Sequence, residues 1–177
     1  MNITPTKLKD CYILQPQIFG DDRGYFYESF HFQKFSEVTG LVVTFVQDNQ
    51  SSSTYGVIRG LHFQKGAAAQ AKLVRVISGR VIDVAVDLRP ESSTYGQYEA
   101  VELSAENRKQ LFVPRGFAHG FSVLSESVEF VYKCDNYYNP KEEDGIIYND
   151  PTLNIDWGIP HGEEIISKKD LKLPRLS

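Results

Sequence analysis

Tryptophan and methionine each occur once in 177 residues, and cysteine only twice. Two thiols cannot build a disulfide framework, so Cys11 and Cys134 read as buried or half-buried free thiols. No apolar run approaches the roughly 18 residues that a membrane span requires. The N-terminal stretch Met1-Asn2-Ile3-Thr4-Pro5-Thr6-Lys7 lacks the apolar core of a signal peptide, so the chain reads as cytoplasmic, with no membrane partner. Basic residues are not in excess: 19 Lys and Arg stand against 23 Asp and Glu, for a net charge of −4. That balance argues against general nucleic-acid binding, which needs a basic face. Any bound anion must be met by a local cluster of cations. Repeats, low-complexity tracts and linkers are also missing, so residues 1–177 read as a single domain. A chain of this length buries about 70% of its unfolded surface, enough for a full core.

Aromatic residues are plentiful, with ten Tyr and eleven Phe, and such a load favours strands and aromatic-lined pockets. Strand patterns separated by turn signals occur at 11–19, 24–30, 42–50, 57–64, 72–77, 80–88, 98–103, 110–113, 120–124 and 128–138. So many short strands with little helix indicate an all-β sandwich, barrel or jelly roll. The clearest hairpin signal is Ser78-Gly79 between the runs 72–77 and 80–88. In the second run Ile82, Val84, Val86 and Leu88 recur at period two, with Asp83 and Asp87 on the other face. A weak helical pattern over Phe32–Val38 stops at Gly40, and Ser167 is placed to cap a short final helix.

Two segments carry the chemistry. Arg59-Gly60-Leu61-His62-Phe63-Gln64 is answered about fifty residues later by Pro114-Arg115-Gly116-Phe117-Ala118-His119-Gly120-Phe121. Metal-binding cupin barrels usually present His-x-His with a glutamate soon after. Here Gln64 takes the place of the second imidazole, and the next glutamate is Glu91. The segment resembles a metal site without its ligands, and the remaining imidazole is a candidate proton-transfer base. In an unbroken strand Arg59 and His62 point to opposite faces, so both reach one cavity only if Gly60 bends or bulges the strand. Phe26 with Glu28, and Gln47 with Asn49, share faces at strand spacing, as in a pocket wall or an exposed barrel surface.

Taken singly these residues have ordinary readings: His62 as a structural histidine, Lys72 as an edge charge, Tyr132 as core, Arg23 as a solvated turn residue. Together they supply a base, an acid, an ammonium and guanidinium groups, a kit for removing a proton beside a carbonyl. Such a proton is far less acidic than imidazolium, and each unit of mismatch costs about 1.36 kcal/mol. A developing enolate oxygen therefore needs a donor such as Lys72, worth about 3–4 kcal/mol if well aimed. An imidazole base also needs an acceptor on its second nitrogen. A phenol such as Tyr132 across the substrate could return the proton to the opposite face, which inverts the carbon.

In these blocks, and in Phe19-Gly20-Asp21-Asp22-Arg23-Gly24, Phe45-Val46-Gln47-Asp48-Asn49, Gln70-Ala71-Lys72-Leu73-Val74-Arg75, Asp83 to Arg89, Tyr132-Lys133, Tyr137-Tyr138 with Pro140 and Glu143, Asn149-Asp150 and Ser167-Lys168-Lys169-Asp170, the chain resembles the dTDP-4-dehydrorhamnose 3,5-epimerases over nearly its whole length. The resemblance implies a cupin-type double-stranded β-helix, or jelly roll, with a few short peripheral helices. It implies His62 as base oriented by Asp170, Tyr132 as acid, and Lys72 at the C4 oxygen of a dTDP-sugar, with no cofactor and no metal. It places Arg59 at the diphosphate, and Arg23 and Glu28 from a neighbouring subunit at the nucleotide. Phe19, Gln47, Asn49, His119, Tyr138, Glu143 and Lys169 match pocket positions. It further implies a homodimer with exchanged N-terminal strands. Two positions depart from the family pattern: Tyr148 stands where Trp is common, and Arg115 where Glu is frequent.

The activity implied is inversion of C3 and C5 of dTDP-4-dehydro-6-deoxy-D-glucose to dTDP-4-dehydro-L-rhamnose, in dTDP-L-rhamnose biosynthesis. Three other readings share some of these residues. A 3-epimerase would use the same proton machinery on one carbon. A metal-dependent cupin is disfavoured by Gln64, and a non-catalytic sugar-nucleotide binding module would not need His62, Asp170 and Tyr132.

Overall fold

The computed structural model describes residues 1–176, folded as two antiparallel sheets facing one another. The first has the order β1 (Asn2–Pro5), β2 (Tyr12–Gln15), β10 (Gln110–Val113), β7 (Lys72–Ser78), β12 (Ser127–Cys134), β5 (Gln47–Thr54). The second has the order β13 (Glu143–Gly145), β6 (Val57–Gln64), β11 (Phe117–Val123), β8 (Arg80–Asp87), β9 (Tyr98–Ser104), with β14 (Ile165–Ile166) added in parallel to β6. A separate ribbon pairs β3 (Ile18–Asp21) with β4 (Gly24–Tyr27).

The expectation of a β7–β8 hairpin is corrected. These strands lie in different sheets, and Ser78-Gly79 is the corner between them. Gly79 has φ 84° and its Cα faces Ser127 O so closely that any Cβ would collide with that carbonyl. A turn that in sequence looks like a hairpin is here filled by β10 and β12, which take both edges of β7.

Other boundaries shift for identifiable reasons. The 11–19 run breaks into β2 and β3 around Pro16, which has no amide to give a ladder. The 42–50 run pairs only from Gln47 onward. Its apolar start packs with Phe35 of α1 (Phe32–Thr39) instead, where Val43, Leu41 and Phe45 join one cluster. β5 itself is wholly polar, and its ladder with β12, from Gln47↔Cys134 to Thr54↔Ser127, holds it as a strand. The 128–138 run ends at Cys134, leaving Tyr138 in a loop. Strands β1, β13 and β14 carry too little pattern to be read in advance.

Helix α1 ends as expected at Gly40, whose left-handed φ of 73° lets its N–H donate to Ser36 O at 2.9 Å. The final helix is a single 3₁₀ turn, Asp170–Lys172, with the Asp170 amide donating to Ser167 Oγ at 3.0 Å. Both cysteines are buried thiols, and burial pushes Cys11 up to about 12 and Cys134 to about 11, so neither is a nucleophile at neutral pH.

Apolar side chains close one end of the barrel. Val74, Val76, Val81, Leu103, Leu111, Val123, Val128 and Phe130 interdigitate between the sheets, and Phe121 stacks on Phe130 at 4.2 Å between centroids. A second cluster covers the outer face of the second sheet, where Ile146, Leu153 and Trp157 pack on Ile58, Leu61, Val84 and Val86. With its outer face covered in this way, the second sheet can turn Asp83 and His119 inward. Among the described residues no helix is long and apolar enough to cross a membrane.

Candidate functional site

The open end of the barrel holds a cavity of about 600 Å³ whose walls include Arg59, His62, Lys72, His119, Tyr132 and Asp170. A second lobe of about 330 Å³ shares His62, Lys72, Tyr132 and Asn49 with it and adds Gln47, Gln64, Tyr138 and Glu143. Volumes of this size suit a small-molecule ligand.

Strand β6 delivers both Arg59 and His62 to this cleft through a bulge. Against β11, His62 pairs with His119 and Arg59 with Phe121, so three steps on β6 are matched by two on β11. The odd residue restores both side chains to one face. Gly60 makes it possible: its φ is 111°, and a Cβ there would lie 2.7 Å from His119 O. Gly120 stands opposite, where a Cβ would meet Arg59 O at 2.5 Å. The two glycines let the strands touch.

His62 Nε2 lies 2.9 Å from Asp170 Oδ1, and the Gly60 amide donates to Asp170 Oδ2 at 3.3 Å. Burial alone would raise the Asp170 pKa, but the hydrogen bond and charge of His62 and the Gly60 amide outweigh it and hold the carboxyl below its usual range. An ionised acceptor on Nε2 fixes the tautomer with its proton there and leaves Nδ1 as the basic nitrogen.

Across the barrel, β7 and β12 supply Lys72 and Tyr132, with Lys72 Nζ 5.9 Å from the Tyr132 ring centroid. Lys72 is half-buried and lines both lobes of the cavity. Loss of water lowers its pKa below the ordinary lysine value, partly offset by Cys134, Asp83 and Glu143. Burial raises the Tyr132 phenol, with the neighbouring Arg59 opposing. Tyr132 therefore stays protonated at neutral pH.

A second imidazole–carboxylate pair lies deeper. His119 Nε2 is 3.0 and 3.1 Å from the two oxygens of Asp83, and both residues are buried. Asp83 was legible only as a polar residue interrupting an apolar strand, and its pairing with His119 was not. Sequence reasoning also missed Ser53, whose Oγ accepts from Arg59 Nε at 3.0 Å.

At the cavity mouth Glu143 joins three segments. Tyr138 Oη donates to Glu143 Oε2 at 2.7 Å, and Lys169 Nζ donates to the same oxygen. Burial works against the Glu143 charge, but these two partners hold its pKa below the usual value. Gln47 Nε2 donates to Asn49 Oδ1 at 3.0 Å, so the expected shared face of β5 is present.

Three expected residues do not reach this cleft within one chain. Phe19 and Arg23 lie on the β3–β4 ribbon, where Arg23 pairs with Asp21, and Glu28 pairs with Lys34 at 2.8 Å. The ribbon leaves Phe19 56% and Phe26 70% exposed. Phe26 and Glu28 thus form no wall of the His62 cavity in this chain. Among the described residues no group of three or more His, Cys, Asp or Glu side chains is arranged to hold a metal ion.

Residues 5–177 match the family model for dTDP-4-dehydrorhamnose 3,5-epimerase. The chain is 52% identical over 176 residues to the dTDP-4-dehydrorhamnose 3,5-epimerase of Salmonella typhimurium, covering 99% of this chain and 96% of that one. Its fold superposes with a TM-score of 0.96 on the enzyme of the same name from Elizabethkingia anophelis, at 58% identity over 99% of this chain and 96% of that one. A Legionella pneumophila dTDP-6-deoxy-D-glucose-3,5-epimerase, solved in complex with dTDP-4-keto-L-rhamnose, superposes at 0.90 with 47% identity, over 99% and 98% of the two chains.

Proposed function

The chain belongs to the dTDP-4-dehydrorhamnose 3,5-epimerase family, and on that premise we propose that it converts dTDP-4-dehydro-6-deoxy-D-glucose to dTDP-4-dehydro-L-rhamnose, for dTDP-L-rhamnose biosynthesis. The observation that carries this reading is the His62–Asp170 pair facing a cavity shared with Lys72 and Tyr132.

The C4 carbonyl acidifies the hydrogens on C3 and C5 alike, and removal of either gives an enolate with its charge on the same oxygen. One donor therefore serves both steps. His62 Nδ1 takes the proton from carbon, its Nε2–H held by Asp170. Lys72 faces the C4 oxygen as charge develops there, and its lowered pKa makes it the stronger hydrogen-bond donor. Tyr132 returns a proton from the opposite face, and its raised pKa keeps that proton in place until needed. Inversion at one carbon leaves His62 protonated and Tyr132 as a phenolate, so proton exchange with solvent resets both before the second carbon is presented in another register of the same ring.

Arg59, fixed along β5 by Ser53 and Ser52 O, supplies positive charge for the diphosphate. Gln47, Asn49, His119, Tyr138, Glu143 and Lys169 complete the walls. Phe19, Arg23 and Glu28 act at the nucleotide end of a partner subunit's cavity, in a homodimer with exchanged N-terminal strands. Two features support this assembly. The β3–β4 ribbon exposes aromatic side chains that take no part in the walls of its own His62 cavity, and β1 is an open sheet edge.

Incubation with the keto-sugar and NMR of the product test the activity. Inversion at both carbons is expected. Inversion at C3 alone would place the chain with its 35% identical relative named dTDP-4-dehydrorhamnose 3-epimerase, and no turnover would refute the reading.

A further inference from the structure

Gln64 stands where a metal-binding cupin would carry its second histidine, and it is not idle. Only 7% of its surface is exposed. An amide buried in a β-strand costs free energy unless it is hydrogen-bonded, so a leucine would pack there more cheaply. Gln64 Oε1 accepts from the backbone amide of Asn139 at 2.9 Å. The preceding amide, that of Tyr138, donates to Gln47 Oε1 at 3.1 Å, and the one before, that of Tyr137, donates to Asn136 Oδ1 at 2.9 Å. Three successive loop amides are thus answered by side-chain carbonyls and not by a strand ladder. On the other side of the loop, Gln70 Nε2 donates to Asn136 O at 2.8 Å.

The loop so held carries Tyr138, which is half exposed at the mouth and bonded to Glu143. Gln64 and Glu143 are paired across β6 and β13. Two paired strands therefore hold this part of the loop: β6 takes the Asn139 amide through Gln64, and β13 takes the Tyr138 phenol through Glu143.

We propose that Gln64 is a positioning residue, which acts on the bound sugar nucleotide through the Asn136–Pro140 loop by setting Tyr138 over the cavity mouth. The substrate named here rests on the function proposed above. The position of the loop does not. Chemistry at His62 and Tyr132 is left in place, because the backbone pairing of His62 with His119 and Gly145, and of Tyr132 with Asn49 and Val74, does not involve the Gln64 side chain.

The test is Gln64→Met, which keeps the volume and removes the acceptor, in a double-mutant cycle with Tyr138→Ala. Gln64→Met should raise KM about tenfold with kcat changed less than about threefold. In the Tyr138→Ala background the same substitution should have almost no further effect on KM. Hydrogen exchange at the Asn139 amide, which needs no substrate, should quicken about tenfold in Gln64→Met. Additive effects on KM, or unchanged exchange at Asn139, would overturn the proposal. Should Gln64→Met not fold, Gln70→Met, at a half-buried site, repeats the cycle on the same loop, and additivity there overturns it equally. A wild-type protein without turnover would refute the proposed function alone, since the exchange measurement would still decide the role of Gln64.

Discussion

At the residue scale, the account turns on Asp170, which arrives from the far end of the chain to fix one imidazole. Its carboxyl is held below the usual range by the His62 ring and the Gly60 amide, against the opposing effect of burial. A depressed carboxyl pKa contributes stability that is fully present above the unfolded value of about 4 and lost as pH falls through the lower folded value. At neutral pH the pair is therefore intact. Asp170→Asn should lower kcat at least about 100-fold, since an amide no longer fixes the tautomer. The difference in thermal stability between wild type and Asp170→Asn should stay constant from pH 7 down to about 4 and shrink below it. A difference that grows on acidification would contradict the assigned direction. His62, Lys72 and Tyr132 were legible because their residue types form a kit. The pairings of Asp83 and Ser53 were not, since their partners, 36 and 6 residues away, lie on other strands and leave no local pattern.

At the element scale, the most consequential feature is the β6 bulge. The sequence permits it by placing Gly60 between Arg59 and His62, and the 62↔119 and 59↔121 pairings realise it. Gly60→Ala would force a Cβ against His119 O in a left-handed backbone. We expect a loss of about 2–4 kcal/mol, measured by denaturant unfolding, with activity falling further than stability because Arg59 and His62 share the displaced segment. An unchanged unfolding midpoint would mean that the bulge tolerates a side chain. Strand existence was readable from period-two patterning in β8, where Ile82, Val84 and Val86 alternate with Asp83 and Asp87, and from flanking turn signals for β6 and β9. Patterning caught only the first half of β5, because Ser51 to Thr54 carries no apolar signal, and it misjudged the Ser78-Gly79 corner, where local turn chemistry does not reveal which strands claim the flanks.

At the scale of the whole molecule, the jelly roll divides the labour of its two sheets. The second sheet, covered outside by Trp157 and its neighbours, brings His62, Arg59 and His119, while the first brings Lys72 and Tyr132 across the gap. On the proposed mechanism, a base and an acid on facing sheets would approach the sugar ring from opposite sides, and that opposition is what inversion of a carbon demands. The architecture was legible as a class from many short strands, but the facing of these two groups depends on long-range pairing that no window of sequence contains. Solvent deuterium incorporation into the keto-sugar in heavy water tests this arrangement most directly. The account predicts label at both C3 and C5 with the wild-type protein, and none with His62→Ala although that variant still binds dTDP. Label entering at an undiminished rate with His62→Ala would contradict it.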